Sequence, residues 1–342
     1  MIIPVQPIIA MTNAINDGAV FAVKQARLFF YQRPFSSPVN FNGQKLSSRE
    51  GLILQLQDNN KQLSFSEIAP LPGFSKESLE QATAQIIGLL NSGLENLQPR
   101  DDLYPSVNFA LDCALQNIPL TAKKGQLDSV PLLQGDNASV IKQYLALNAP
   151  SLIKLKVARQ KVEEDIALFK QLNRLAPNLI IRCDANQGWS AAQASHFFTD
   201  IDQQKLDYIE EPTKDHQTNL QLAETHRIAL ALDETLQDIS FTYQHKNCIN
   251  ALVLKPTLIG SLNRLQSFID IAAQHLLQVH ISSSFESIIA LQQLTALADI
   301  YQKKCRLSLG IDTLKYFQDG LLTARREIKS DLQKLECLWR SN

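Results

Sequence analysis

Eight short apolar, β-branched runs alternate with helix-patterned segments between Leu132 and Leu307, and this rhythm constrains the fold more than any other feature. The runs centre near Leu132, Leu155, Ile181, Ile209, Leu230, Val253, Val279 and Leu307, 21 to 28 residues apart. Each interval holds one strand, one helix and two short loops, so the segment reads as a (β/α) barrel rather than an open sheet. Between runs, Val162, Ile166, Phe169, Leu172 and Leu175 recur every three or four positions, as do Leu262, Leu265, Ile269 and Ala272. Ser190, Asp215 and Ser261 stand where helix N-caps belong.

Five successive runs end in ionisable residues: Lys154-Leu155-Lys156, Arg182-Cys183-Asp184, Glu210-Glu211, Asp233-Glu234 and Lys255. In a parallel barrel the C-terminal strand ends form the functional face. With Leu132 on the first strand, the lysine pair lies on the second. Asp184, Glu210 and Asp233 then end the next three, and Lys255 ends the sixth, across the ring from the second. Three carboxylates suit a hard divalent cation. Flanking lysines suit proton transfer beside it.

Lys154 and Lys156 share a parity, and like charge with burial lowers a lysine pKa toward that of a working base. Arg182 shares the parity of Asp184 and is expected to face the site too. Of Glu210 and Glu211 only one can point inward, and parity alone does not choose. Asn186 reads either as a hydrogen-bond partner or as a turn residue. Ser282, Ser283 and Ser284 end the seventh run and Gly310 the eighth. Small residues there either offer backbone N–H groups to a carboxylate or serve ordinary turns.

The first 130 residues break the rhythm. Strands are expected at 27–31, 51–56 and 65–68, with a polar loop from Pro34 to Ser48. Ser75 or Ser78 then opens a helix carrying Leu79, Ala82, Ile86 and Leu90 on one stripe. This is an α+β unit ahead of the barrel.

Lys and Arg number 33 against 34 Asp and Glu, so charge offers no argument for nucleic acid or an anionic membrane as partner. The first ten residues are interrupted by Pro4 and Pro7 and lack a basic stretch, unlike a secretory signal, and no segment reaches membrane-spanning length. Five scattered cysteines read as free thiols in a reducing compartment, so the expected location is cytoplasmic. No dinucleotide, P-loop or HExxH motif is present, and the six histidines read as structural.

Ser66-Glu67-Ile68-Ala69-Pro70-Leu71-Pro72-Gly73-Phe74-Ser75, Pro105-Ser106-Val107, Lys255-Pro256-Thr257-Leu258-Ile259-Gly260-Ser261-Leu262, Ile281-Ser282-Ser283-Ser284-Phe285-Glu286-Ser287 and Gly310-Ile311-Asp312-Thr313 carry a resemblance. With Asp184-Ala185-Asn186 and Glu210-Glu211-Pro212, they resemble the muconate-lactonising subgroup of the enolase superfamily, and within it the gammaproteobacterial o-succinylbenzoate synthase family. The resemblance implies an α/β fold, a (β/α)7β TIM-like barrel under an N-terminal α+β capping domain. It divides the chain into an unassigned extension (1–22), cap (23–125), barrel (126–315) and a segment packing back on the cap (316–342).

It also implies that Asp184, Glu210 and Asp233 hold Mg2+, with Mn2+ as a substitute, and that Lys156 and Lys255 are catalytic. Lys154, Arg182, Ser282, Ser283 and Gly310 would bind a small-molecule carboxylate. The implied reaction is dehydration of 2-succinyl-6-hydroxy-2,4-cyclohexadiene-1-carboxylate to 2-succinylbenzoate, a step of menaquinone biosynthesis. The competing readings are an N-acylamino-acid racemase or dipeptide epimerase, and a barrel that binds metal and ligand without turnover. A dipeptide enzyme typically carries an Asp-x-Asp pair on the eighth strand, and Gly310-Ile311-Asp312 offers one acid. Ser66, Thr235 and Ile311 depart from the usual Gly, Ser and Leu, none at a metal or lysine position. Nothing in the sequence specifies an oligomeric state.

Overall fold

In the computed structural model, residues 21–41, 43–120, 130–318 and 332–341 are described. Residues 1–20 of the unassigned extension and the 125/126 boundary lie outside them. The chain opens with a long hairpin, β1 (Val23–Phe41) against β2 (Gln44–Asp58), followed by β3 (Leu63–Ile68) antiparallel to β2. The Pro34–Ser48 stretch, expected as a loop, is instead the distal arm of this hairpin: Pro34 pairs with Ser48 and Phe41 with Gln44, around a bulge between Pro34 and Val39. Of its described residues only Phe35 and Phe41 are buried, while 36–38 and 43–45 are exposed, which hid the strand from an apolar-run reading.

One sheet face, with Leu28, Leu52, Leu54 and Leu56, packs against α1 (Leu79–Ser92) and α2 (Pro105–Leu115). Ser78 caps α1 through a reciprocal pair with Gln81. Helix α2 is buried on all sides. Val107, Ala110, Leu111 and Ala114 face the cap core, while Phe109 and Cys113 join the barrel core.

All eight apolar runs form parallel strands: β4 (Leu132–Leu133), β5 (Leu152–Lys156), β6 (Ile180–Asp184), β7 (Leu206–Glu210), β8 (Leu230–Leu232), β9 (Ile249–Leu254), β10 (Gln278–Ser282) and β11 (Leu307–Gly310). They lie in unbroken sequential order in one curled sheet. Near its two ends, Gln134 Nε2 after β4 donates to Tyr316 Oη after β11 at 3.1 Å. The sheet is wrapped by α3 (Asn137–Leu145), α4 (Val162–Leu175), α5 (Ala191–Asp200), α6 (His216–His226), the single turn α7 (Pro256–Ile259), α8 (Leu262–His275) and α9 (Ile288–Tyr301). Ser190, Asp215 and Ser261 are N-caps. Between β8 and β9 the expected helix is replaced by one 3-10 turn, Glu234–Gln237, and irregular chain.

The last element, β12 (Glu336–Arg340), runs antiparallel to β1 and completes a four-stranded cap sheet in the order β12-β1-β2-β3. Cap and barrel are joined by buried polar contacts. Asp112 of α2 accepts from the Leu262 N–H at the start of α8 at 2.7 Å. Gly260 has φ +100° and passes so near Pro105 that a Cβ would sit 3.2 Å from Pro105 Cα. No described helix is long and apolar enough to cross a membrane.

Candidate active site

Parallel register does most of the assembly: Lys156 pairs with Asp184 on β6, and Asp184 with Glu210 on β7. Asp184, Glu210 and Asp233 are each 1 % exposed, and one carboxylate oxygen from each lies within 4.8 Å of the others. Lys154 Nζ lies 2.8 Å from Asp184 Oδ2 and 2.6 Å from Glu210 Oε2; Lys156 Nζ lies 2.6 Å from Asp184 Oδ2. Lys255 is paired with Asp233.

The charges set unlike protonation tendencies on the lysines. Burial, with repulsion from Lys154 and Lys255, lowers the Lys156 pKa against the pull of Asp184. Burial also opposes charge on Lys154 and Lys255, but there the carboxylates win. Asp184 and Glu210 raise Lys154, and Asp233 and Glu234 raise Lys255. Among the acids, burial and the neighbouring Asp184 and Asp233 push Glu210 up to about 8 against the attraction of Lys154. Crowded carboxylates of this kind call for a cation. The donor set is all oxygen, and Asp233 Oδ1 is buried with no hydrogen-bond partner among the described residues. These residues fit a hard divalent ion.

Glu211, which parity turns away from the three carboxylates, is not a surface charge. It is 1 % exposed; its Oε1 accepts from the backbone N–H groups of Asp233 and Thr235, both at 3.1 Å, and its Oε2 from Asn219 Nδ2 at 3.3 Å. It therefore fixes the turn that presents Asp233. Sequence reading missed this role, because the groups it holds come from the next strand end.

Arg182 does share the inward parity of Asp184, but it sits one layer deeper. Its guanidinium binds Asp207 at 2.8 Å and Gln278 at 2.9 Å, at the N-terminal ends of β7 and β10, and lies over the Tyr208 ring. It belongs to the barrel floor, with Tyr208 and His280, rather than to the mouth. The seventh and eighth strand ends do reach the mouth, with most polar groups already engaged. Ser283 N–H donates to Gly310 O at 3.0 Å, and Ser284 N–H to Glu286 Oε2 at 2.5 Å. Ser283 Oγ lies 3.1 Å from Thr313 Oγ1. Gly310 leaves room for Ser282, whose Oγ would stand 2.9 Å from a Cβ.

The cap roofs this end. Phe35 and Phe41 of the hairpin arm pack on Phe317 and Phe285, with ring centroids 4.8 Å apart in each pair, and Leu71, Phe74 and Leu258 extend the cluster. The Phe74 ring centroid is 5.9 Å from Lys255 Nζ. Arg49 clamps the loop beneath, donating to Pro70 O at 2.8 Å and to Ala69 O at 2.5 Å.

Comparison with known proteins agrees with this geometry. Residues 23–118 match the family "MenC, N-terminal domain", and residues 138–328 match "Enolase C-terminal domain-like". The chain is 33 % identical over 325 residues to the o-succinylbenzoate synthase of Aliivibrio fischeri (strain ATCC 700601 / ES114), covering 93 % of this chain and 99 % of that one. It is also 33 % identical to the o-succinylbenzoate synthase of Pasteurella multocida, covering 85 % and 90 %. Among solved structures, o-succinylbenzoate synthase from Thermosynechococcus elongatus BP-1, complexed with Mg in the active site, superposes with a TM-score of 0.75 at 25 % identity. That match covers 91 % of this chain and all of the other. The L-Ala-D/L-Glu epimerase from Bacillus subtilis shares the fold at 14 % identity and a TM-score of 0.70, covering 88 % of this chain and 92 % of that one. With its MenC-type cap, its enolase-type barrel and relatives alike along almost their full length, the chain belongs to the o-succinylbenzoate synthase family of the enolase superfamily.

Proposed function

We propose that this protein dehydrates 2-succinyl-6-hydroxy-2,4-cyclohexadiene-1-carboxylate to 2-succinylbenzoate, with Lys156 moving the proton and Lys255 serving as a fixed cation. The observation that carries the reading is geometric: Lys156 and Lys255, from the second and sixth strand ends, flank one buried cluster of three carboxylates, Lys156 bonded to Asp184 and Lys255 to Asp233. Asp184, Glu210 and Asp233 would hold Mg2+, and Mn2+ would substitute. A bound divalent ion supplies Lewis-acid charge that makes the proton beside the substrate carboxylate more acidic.

Neutral Lys156 takes that proton: the C–H bond breaks, an N–H bond forms, and the electron pair enters the substrate π-system. The Lys156 ammonium then returns the proton to the ring hydroxyl as the C–O bond breaks, releasing water and leaving an aromatic ring. Base and acid are one residue, so both events occur on one face. Lys255 on the other face offers a permanent cation to the ring. Lys154, bonded to Asp184 and Glu210, keeps the ligand carboxylates oriented and adds positive charge for the substrate carboxylate. Ser282, Ser283 and Gly310 shape the pocket for the succinyl end. The aromatic roof excludes water. Arg182, with its partners on the floor, supports the β6 strand from below rather than touching substrate.

The rival isomerase reading loses ground at Asp312. Its side chain is 66 % exposed and paired with Lys315 at 2.7 Å, so it does not stand as an ammonium anchor in the site. We assign the cap to 23–125 and the catalytic unit to 126–315, with 316–342 returning to the cap, and place the enzyme in the cytoplasm as a processor of a small carboxylate. The deciding assay is purified protein with Mg2+ and the cyclohexadiene, followed by ultraviolet absorbance as the ring becomes aromatic. Brisk racemisation of N-acylamino acids with no change in the cyclohexadiene would overturn the assignment.

A further inference from the structure

We infer that Asn186, oriented by Glu234, is the positioning residue that aims Lys156 at the substrate. Lys156 Nζ donates to two acceptors, Asp184 Oδ2 and Asn186 Oδ1, each at 2.6 Å. An amine nitrogen bonded to its own carbon has three remaining directions. Two are taken by these acceptors, and two N–H bonds are all that a neutral amine owns. The third direction therefore carries the lone pair when Lys156 is neutral and the transferable proton when it is charged. Uptake and release then lie on one axis, without rotation about the Cε–Nζ bond between the two halves of the reaction.

The arrangement works only if the Asn186 amide shows its oxygen to Lys156. A flipped amide would present N–H to the lysine, capture the lone pair and turn it away from the substrate. Two neighbours dictate the correct orientation. Glu234 Oε1 accepts from Asn186 Nδ2 at 3.1 Å, and Arg159 Nη2 approaches Asn186 Oδ1 from the solvent side at 3.4 Å. The backbone is built for the same end: Asn186 has φ +42° and its N–H donates to Asp184 Oδ1 at 3.1 Å. Asparagine visits that left-handed region more readily than most residues. Glu234 follows Asp233 in sequence and reaches Asn186 across two strand ends, so a single hydrogen-bonded bridge ties the fifth strand end to the base on the second.

This inference rests on the assignment of Lys156 as the base. The test compares wild type, Lys156→Ala, Asn186→Ala, Glu234→Gln and the Asn186→Ala/Glu234→Gln double variant at saturating Mg2+. The substrate carries protium or deuterium at the abstracted position. Asn186→Ala should lower kcat by about 100-fold, as expected for a base displaced by about an ångström, with KM and Mn2+ affinity held within about threefold. Its primary isotope effect should exceed the wild-type value. Glu234→Gln should cost about tenfold, and the double variant should lose clearly less than the product of the two single losses, because the bridge to Asn186 is common to both. Turnover by Lys156→Ala would bring down both the base assignment and this inference. A dead Lys156→Ala beside an Asn186→Ala with wild-type kcat and isotope effect would overturn the positioning role alone. Loss of Mn2+ affinity in step with kcat would overturn it in favour of a metal-site role. Strictly additive losses in the double variant would also reject the bridge, and the Glu234→Gln arm reads it even if Asn186→Ala folds poorly.

Discussion

Glu67, on β3 of the cap, caps a barrel helix: its carboxylate accepts from Ser287 N–H at 2.8 Å and from Ser287 Oγ at 2.5 Å, across 220 positions of sequence. Ala290 N–H, one turn into α9, and Tyr31 Oη donate to the same group. A helix N-terminus prefers an anion, and here the anion comes from the other structural unit. Removing it would strand buried donors at roughly 1–3 kcal/mol each. Glu67→Ala should therefore lose about 3 kcal/mol or more in urea unfolding, and Glu67→Gln distinctly less. Equal stability of Glu67→Ala and wild type would show that the contact is idle.

Glu210→Gln and Glu211→Gln should both damage the enzyme, by different routes. At 210 the change removes a metal-facing charge from a crowded cluster, so activity vanishes while thermal stability without metal holds or rises. At 211 the new amide would face Asn219 Nδ2, which is already fixed by Thr213. Stability should fall by about 1–3 kcal/mol and Mn2+ affinity with it. Thermal melts with and without metal, set beside a Mn2+ titration, distinguish the two; matching profiles would refute the separation.

Chelation should abolish turnover and Mg2+ should restore it. Because Asp184, Glu210 and Asp233 repel one another, added Mg2+ should also raise the melting temperature of the wild type. Asp233→Asn should lose most of that rise. Full activity in excess chelator would sink the metal assignment.

Lys156→Arg and Lys255→Arg separate the two lysines. Arginine keeps its charge at any usable pH, so at 156 it cannot take a proton, and kcat should fall beyond measurement. At 255 it preserves a cation beside the ring and should retain more activity than at 156. The reverse order, measured by steady-state rates at saturating substrate, would exchange the two roles.

Asp112 gives stability a pH dependence that can be isolated. Burial raises its pKa to about 6, against the bonds it accepts from Leu262 and Gln116. A folded pKa above the unfolded value of 3.8 means that its contribution is present below about pH 4 and is lost as pH rises through about 6. The loss is up to about 2–3 kcal/mol. Asp112→Asn keeps an acceptor for Leu262 and cannot ionise, so its stability relative to wild type should climb between pH 4 and 7.5. A flat difference in urea midpoints would mean that Asp112 titrates normally.

The sequence reveals periodic features and hides those that depend on depth or on distant chain. The eight strands and the caps at Ser190, Asp215 and Ser261 follow from local pattern, and so does the convergence of Lys156, Asp184, Glu210, Asp233 and Lys255. Parity gives the side of a strand and not the height, which is why Arg182 reads as a mouth residue but lies on the floor. The hairpin arm around Pro34–Ser48 has few buried positions, and its pairing shows only when Phe285 and Phe317 arrive from the far end of the chain. The missing helix between β8 and β9 leaves a spacing that an ordinary unit would also give. The role of Glu211 is not legible because its partners, the Asp233 and Thr235 N–H groups and the Asn219 amide, come from later parts of the chain, to which no motif points.

The pairing of β12 with β1 also dictates an order of manufacture. A chain is synthesised from its first residue onward, so the strand that opens the cap emerges early, yet its outer neighbour comes only with residues 336–340. Throughout the translation of the barrel, the β1 edge waits unpaired, which is the state most prone to capture by another chain. A cap strand made before the barrel is thus covered only by a strand made after it, and shielding of the β1 edge during translation should raise the yield of folded enzyme.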